Sequence, residues 1–297
     1  MELRVLHYFL AIVREGSITK AAASLHLTQP TLSRQIAQLE EELGVRLFTR
    51  SNRSISLTED GLLLKRRAQE LLALAEKTRL DLRQKGEELS GEVSIGSGEF
   101  RSSRCLARLV VSFRERHPRV RFTVVSGNAD DIRERMEHGL LDLGLMLSPP
   151  DPGRCDALPM PVRERWGALV REDSPLAGRP AVRAEDLAGL PLIMGTGEFA
   201  RSRIEGWFGP GASRIELAAA GNLQYNMAML AAGRAGAAIG LALDCQYDGI
   251  RFVPLDPPLE AGTVLAWKRE RTFPPAVSAF IEHARQALSG DSDGEIQ

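Results

Sequence analysis

The sequence predicts a small α-helical N-terminal domain, a long connecting helix and a larger region in which strands and helices alternate. Three patterns carry that prediction. Residues 17–43 read as two short helices joined by a tight turn. Residues 57–82 hold apolar or small residues spaced alternately four and three apart. From residue 92 onward, β-rich segments alternate with amphipathic ones, as in a parallel or mixed sheet covered by helices. A chain of 297 residues can divide into two or three domains with substantial cores.

The helix pair opens at Ser17, whose hydroxyl suits an N-cap. Ala21 and Ala22 are small enough for two helices to cross closely, and Leu25 and Leu27 bracket the turn. Thr28 is a second N-cap, and Pro30 falls in the first helical turn, where its missing N–H costs little. Leu32, Ile36, Leu39 and Leu43 then form one apolar stripe. Opposite it lie Thr31, Arg34 and Gln38, with Ser33 to one side. Any one of these reads as part of a solvated helix face. Two caps, a small-residue crossing and a face of hydroxyl, guanidinium and amide groups together predict a helix-turn-helix, with its second helix offered to the DNA major groove.

Leu57, Gly61, Leu64, Ala68, Leu71, Ala75, Thr78 and Leu82 continue as a heptad seam, broadened by Leu63, Leu72 and Leu80. A helix from about Thr58 to Lys85 is long for a globular element and predicts a partner helix, with Leu64, Ala68, Leu71, Ala75 and Leu82 at a dimer contact. The pattern breaks at residues 86–91. Strands are expected at 92–97, 120–125, 141–147, 163–171, 191–195, 215–220, 237–243 and 263–268. Helices are expected at 102–116, 129–138, 201–208, 223–232 and 275–288, and residues 148–153 are rich in turn formers.

The net charge of −1 is unusual for a DNA binder, but residues 1–58 hold seven Lys/Arg against five acids. Cys105, Cys155 and Cys245 are odd in number, far apart and without metal-ligand spacing, which predicts buried free thiols rather than a disulfide scaffold. No signal peptide or membrane span is visible. No phosphate loop, metal-spaced His pair or assembled nucleophile is present, so no catalytic residue, metal site or cofactor is expected.

The chain resembles the LysR-type transcriptional regulators of bacteria. The resemblance runs through Leu6-His7-Tyr8-Phe9, Gly16-Ser17-Ile18-Thr19-Lys20-Ala21-Ala22, Leu27 to Ile36, Leu39 to Phe48, Arg50 and Leu57-Thr58-Glu59-Asp60-Gly61, about sixty dense positions. It implies a winged helix-turn-helix over 1–58, a linker helix over 59–88 that pairs antiparallel in a dimer, and an effector-binding region over 89–297. That last region would be an α/β domain resembling type 2 periplasmic binding proteins. Its lobes would span about 92–162 with 266–297, and about 163–265. Arg50-Ser51-Asn52-Arg53-Ser54 looks like the tip of the wing, flanked by Phe48 and Leu57. The DNA-contacting set then comprises Ser17, Thr19, Lys20, Thr28, Gln29, Pro30, Thr31, Ser33, Arg34, Gln38, Arg50 and Arg53.

Within such a two-lobed domain, strand ends and helix N-termini face the cleft. Position in the chain selects Ser97, Gly98, Glu99, Phe100, Arg101, Ser102, Asn128, Thr196, Gly197 and Asn222 as effector contacts. Backbone N–H groups with the Ser97 and Ser102 hydroxyls would suit an anion, and Arg101 or Arg104 could add charge, whereas Glu99 and Glu198 either favour a ligand carrying an amine or hydroxyls or point away. The resemblance implies a cytoplasmic homodimer or homotetramer, operator DNA, a small-molecule effector and RNA polymerase as partners. The alternatives are a small-molecule binding protein or an enzyme on a related two-lobed fold.

Overall fold

A computed structural model describes residues 1–50, 55–82, 89–147, 151–269 and 271–290. The chain forms two compact units, Met1–Arg83 and Gln84–Gln297.

The first unit contains α1 (Leu3–Glu15), α2 (Ile18–Ser24), α3 (Gln29–Leu43), β1 (Phe48–Arg50), β2 (Ile55–Leu57) and α4 (Glu59–Leu82). Ser17 accepts a hydrogen bond from the Lys20 N–H, and Thr28 accepts one from the Thr31 N–H, so both expected caps start their helices. Leu6, Phe9 and Ile12 of α1 meet Ala21, Ala22, Leu32, Ile36 and Leu39 in one core. The stripe on α3 ends at Leu39, because Leu43 is exposed at the helix terminus. β1 and β2 pair antiparallel, with Phe48 opposite Leu57, as a two-stranded ribbon. The expected ribbon tip, including Arg53, and the Arg50 side chain lie outside the described residues.

Polar side chains stitch α3 to the ribbon and the ribbon to α4. Glu40, only 8 % exposed, accepts from the N–H groups of Leu47 (2.7 Å) and Phe48 (3.3 Å). Thr58 Oγ1 donates to the Arg46 carbonyl (2.6 Å) and accepts from the Gly61 N–H (2.9 Å), capping α4 against the ribbon.

The seam expected along α4 is divided between two faces. Ala68 is fully buried in the unit's own core and is not free for a partner, whereas Leu64 and Leu72 pack against that core while half-buried. The reason is local. The row 61, 64, 68 and 72 is the face that meets the ribbon and α1, and a Cβ on Gly61 would lie 2.1 Å from the Leu47 carbonyl oxygen. Exposed apolar side chains lie on the remaining surface, at Leu62, Leu63, Leu71 and Leu74. Ala75 is half-buried, and the Leu82 side chain lies outside the described residues.

The second unit contains β3 (Gly91–Ser97), α5 (Ser103–Arg116), β4 (Val120–Ser126), α6 (Ala129–Glu137), β5 (Leu143–Met146), β6 (Cys155–Arg171), α7 (Ala184–Leu187), β7 (Pro191–Gly195), α8 (Glu198–Phe208), β8 (Glu216–Gly221), α9 (Gln224–Ala232), β9 (Ala237–Leu241), β10 (Ile250–Pro254), β11 (Glu260–Lys268) and α10 (Pro275–Gly290). The strands run in the order β4-β3-β5-β11-β6-β9-β7-β8, with β10 added on β6. β3 is parallel to β4 and β5, and β7 is parallel to β8 and β9. β6 and β11 pair antiparallel and belong to both halves. The N-terminal part of β6 lies along β11, and its C-terminal part turns to β9 and β10.

Each half has its own core. One gathers Val93, Ile95, Leu109, Phe113, Leu143, Leu265, Trp267 and Phe280. The other gathers Trp166, Val170, Leu192, Met194, Ile204, Phe208, Ile239 and Val253. The expected strand at 163–171 begins eight residues earlier, at Cys155; Pro159 and Pro161 obscure its pattern, since proline is rare within sheets. The sequence pattern does not reveal β10 or α7. Of the three thiols expected to be buried, only Cys105 is. Cys155 is half-buried and Cys245 exposed, and burial pushes the Cys155 thiol up despite nearby Lys268.

The close approach at Gly61 gives a stability test. Gly61→Ala should push α4 off the ribbon and cost about 1–3 kcal/mol, as overpacking does. Circular dichroism should record the loss in a helical transition that tryptophan fluorescence does not follow, because Trp166, Trp207 and Trp267 all lie in the second unit.

Candidate functional sites

In the first unit, α3 turns its apolar side to the core and leaves Gln29, Pro30, Thr31, Arg34 and Gln38 exposed, with Ser33 half-buried. Thr19 and Lys20 on α2 and Thr28 in the turn are exposed beside them, and Ser17 is half-buried at its cap. Arg34 and Gln38 hold no hydrogen-bond or ion-pair partner among the described residues. Thr28 and Thr31 hydroxyls share a hydrogen bond of 2.8 Å, which fixes the start of α3. His26 occupies the tight turn with φ of 55°, a left-handed conformation unusual for a residue with a side chain. The result is a rigid helix end with uncommitted guanidinium, amide and hydroxyl groups.

In the second unit, a cavity of about 120 Å³ opens between the two halves. It is lined by Gly98, Glu99, Phe100 and Asn128 from one half and by Thr196, Gly197 and Asn222 from the other. These are seven of the ten residues selected from chain position. Phe199 also lines it, from the loop 195–199 that chain position selects, while the larger walls that sequence reading missed include Ile132, Met146, Leu147, Trp166, Ile204, Gln224, Met227, Ile239 and Leu241. They come from strand ends and helix faces far apart in the chain, and no local pattern marks them.

Three expected contacts are placed elsewhere. Ser97 is 5 % exposed and donates its hydroxyl to the Gly98 carbonyl (2.7 Å). Ser102 is fully buried, and Arg101, outside the cavity lining, pairs with Asp244 at 3.2 Å. Arg104 pairs with the same carboxylate. The anion expected at the start of α5 is present, but it belongs to the protein. The fully buried carboxylate of Glu164 accepts from the N–H groups of Arg101 (3.0 Å) and Ser102 (2.9 Å) and from the Ser102 hydroxyl. Thr263 Oγ1 lies 2.5 Å from Ser102 Oγ. Glu164 is on β6 and Thr263 on β11, so this network sits where both shared strands pass between the halves.

Other bonds cross the cleft directly. Asn128 caps α6 by accepting from the N–H groups of Asp130 and Asp131, and its amide donates to Thr196 Oγ1 (3.2 Å). Asp130 accepts from the Glu198 N–H at the start of α8 (3.2 Å). Glu99 accepts from the Gln224 N–H at the start of α9. Gln224 is 5 % exposed, and its side-chain amide pairs with both backbone groups of Leu241 at 2.6 and 2.8 Å.

A wider depression of about 720 Å³ lies beside Cys155, but its walls come from one half only. Arg133 there pairs with Asp130, and Arg154 lies near Glu137 and Asp151. No cluster of His, Cys, Asp or Glu among the described residues could hold a metal ion. No described helix is long and apolar enough to cross a membrane.

A helix-turn-helix with a two-stranded ribbon, joined to an α/β unit with a cavity between two halves, defines a class of ligand-responsive DNA-binding proteins. Residues 3–62 match the family model for bacterial regulatory helix-turn-helix proteins of the lysR family, and residues 86–289 match the LysR substrate binding domain. The chain belongs to the LysR family of DNA-binding transcriptional regulators, with an effector-binding domain behind its helix-turn-helix. It is 34 % identical over 212 residues to the HTH-type transcriptional activator IlvY of Salmonella typhimurium, covering 70 % of this chain and 71 % of that protein. It is 29 % identical over 298 residues to the uncharacterized regulator YybE of Bacillus subtilis, covering 95 % and 98 %. In fold, it is similar to full-length CbnR complexed with its target DNA, with a TM-score of 0.71, 24 % identity, and 97 % and 100 % of the two chains covered.

Removing the internal anion tests the strand crossing. Glu164→Ala leaves two backbone N–H groups and a hydroxyl without their acceptor in a site that excludes water, so the second unit should lose about 2–3 kcal/mol or more. Urea unfolding followed by tryptophan fluorescence reads this directly, and Trp166 lies two residues from the change.

Proposed function

We propose that this regulator reads operator DNA through the exposed side of α3, through Thr19, Lys20 and the Ser17 and Thr28 caps around it, and through Arg50 and Arg53. It takes a small effector in the cavity between the two halves of residues 89–297. The single observation that supports this reading best is convergence. Seven residues chosen from chain position, on loops up to 124 positions apart, line one cavity between two separate cores. Effector binding shifts the relative placement of DNA-reading units and hence the access of RNA polymerase. Such a shift requires the effector to favour one arrangement by its differential affinity. The protein acts in the cytoplasm, where its operator is.

The assembly we propose is a homodimer or homotetramer. In this reading, residues 1–58 form the DNA reader, 59–88 the connector and 89–297 the effector domain, with lobes about 92–162 plus 266–297 and about 163–265. The corrected contact on α4 uses Leu71 and Leu74, which are exposed, rather than Ala68. Exposed Val111 and Val124 on one half and Leu217, Tyr225, Met229 and Leu230 on the other supply apolar surface for further pairing of effector domains.

Two experiments test the reading. With DNA from upstream of its own gene, Arg34→Ala should weaken binding by about 1–3 kcal/mol and relax preference at one base position. Unchanged affinity and preference in a folded variant, measured by fluorescence anisotropy, would remove Arg34 from the reading face. Replacing Leu71 and Leu74 together with Asp should dissociate the oligomer in sedimentation while leaving the helical fold intact, since both are on the surface of their own unit. Ala68→Asp should instead unfold that unit, because an unpaired charge would be buried in its core. A double variant that keeps its native sedimentation coefficient and operator affinity places the contact elsewhere.

A further inference from the structure

The cavity between the two halves has an electrostatic character that narrows its ligand. Glu99 is the only ionisable side chain among the described residues that line it. The cations at the start of α5, Arg101 just before the helix and Arg104 on it, are outside the cavity lining and pair with Asp244. The other groups that could hold an anion are helix N-termini, and each already carries an acceptor from the protein. Glu164 occupies the start of α5, Asn128 caps α6, Asp130 accepts at α8, and Glu99 accepts at α9. Three of those four acceptors are carboxylates, so the positive ends of the helix dipoles are neutralised by the protein itself. An incoming carboxylate or phosphate would compete with these acceptors and would meet Glu99 in the cavity wall.

The remaining features suit the opposite charge. Glu99 spends one carboxylate oxygen on Gln224, and the other takes no hydrogen bond from a described residue. Phe100, Trp166 and Phe199 line the same space, and aromatic faces attract cations. Asn128, Thr196 and Asn222 add neutral polar groups at the rim, and Ile204, Met227 and Ile239 add an apolar floor. The volume of about 120 Å³ admits a compact body.

We propose that the effector is a small molecule with a cationic amine head on a compact apolar body, the amine pairing with Glu99 and the body packed against Phe100, Trp166 and Phe199. The proposal rests on the reading of this cavity as the effector site.

The test compares benzylamine, benzamide and benzoate, which share a ring and differ in head charge, as probes of the full-length protein. Benzylamine at millimolar concentration should raise the melting temperature, and benzoate should not. Glu99→Gln keeps a carbonyl oxygen for the Gln224 N–H but removes the charge. It should weaken benzylamine by about tenfold or more, as loss of a charged hydrogen-bond partner does, and leave benzamide unchanged. Ala200→Phe, which fills the cavity from α8, should abolish every shift. Stabilisation by benzoate equal to or above that by benzylamine, lost in Ala200→Phe, overturns the cationic class and leaves the cavity as the effector site. A benzylamine shift that survives Ala200→Phe places binding elsewhere and overturns both. No shift from benzylamine in the wild-type chain, with Glu99→Gln and wild type indistinguishable, overturns the proposal.

Discussion

The second unit depends on one buried carboxylate. Two strands, β6 and β11, pass between its halves, and Glu164 sits on the first of them with no exposure to water. A charge in that position is strongly unfavourable unless it is fully hydrogen-bonded. The start of α5 answers it with two N–H groups and a hydroxyl, and Thr263 on β11 completes the set. The consequence is geometric. The first helix of one half is tied to the strand that leads into the other, and the glycine-bounded loop 98–100 is held over the cleft. Strand alternation does the rest. Arg163 and Arg165 flank Glu164 but point to the opposite face, where both meet Glu260 at 3.3 and 3.1 Å.

The first unit solves a similar problem with the same means. The chain must turn sharply from α3 into a ribbon of three-residue strands, too short to hold itself. Glu40 reaches forward from α3 to the N–H groups of Leu47 and Phe48, and Thr58 reaches back to the Arg46 carbonyl. These bonds place the ribbon beside α3 and set the line along which α4 leaves. That line explains why α4 is used twice. Its 61/64/68/72 row closes the core of its own unit, and the leucines around the helix from that row are left over.

How much of this is legible in the sequence depends on the range of the interactions. The caps at Ser17 and Thr28, the crossing at Ala21 and the stripe from Leu32 to Leu39 are local signals, and each appears where its spacing predicts. Strand and helix order after residue 91 is legible for the same reason, except where Pro159 and Pro161 mask β6. Glu164 is different. In the sequence it is one charge in Arg163-Glu164-Arg165, which reads as solvated surface, and its partners lie 62 residues upstream. Ser97 and Ser102 show the converse error. Both stand at a strand end and a helix start, where ligands are commonly held, yet their hydroxyls are consumed by internal bonds. Ala68 fails similarly, because a heptad count gives the period of an apolar face but not which neighbour covers it.

The cleft also limits how the effector can act. The halves are already bridged by Asn128 to Thr196, Asp130 to α8, Glu99 to α9 and the arginines to Asp244. The neutral Asn128–Thr196 bond contributes about 0.5–1.5 kcal/mol, bonds to the two carboxylates about 1.5–3 each, and exposed ion pairs about 0–1. An effector acts on such a cleft only through a difference in its affinity for two arrangements of the halves. A ligand that merely fits the cavity in both arrangements shifts nothing, however tightly it binds. Leverage comes from groups whose environment differs between the two. Glu99 is placed to be one, because it bridges the halves by accepting from the start of α9. In the proposed mechanism the residues that bridge the cleft are the ones whose contacts an effector changes, while the buried Glu164 crossing ties the start of α5 to β6.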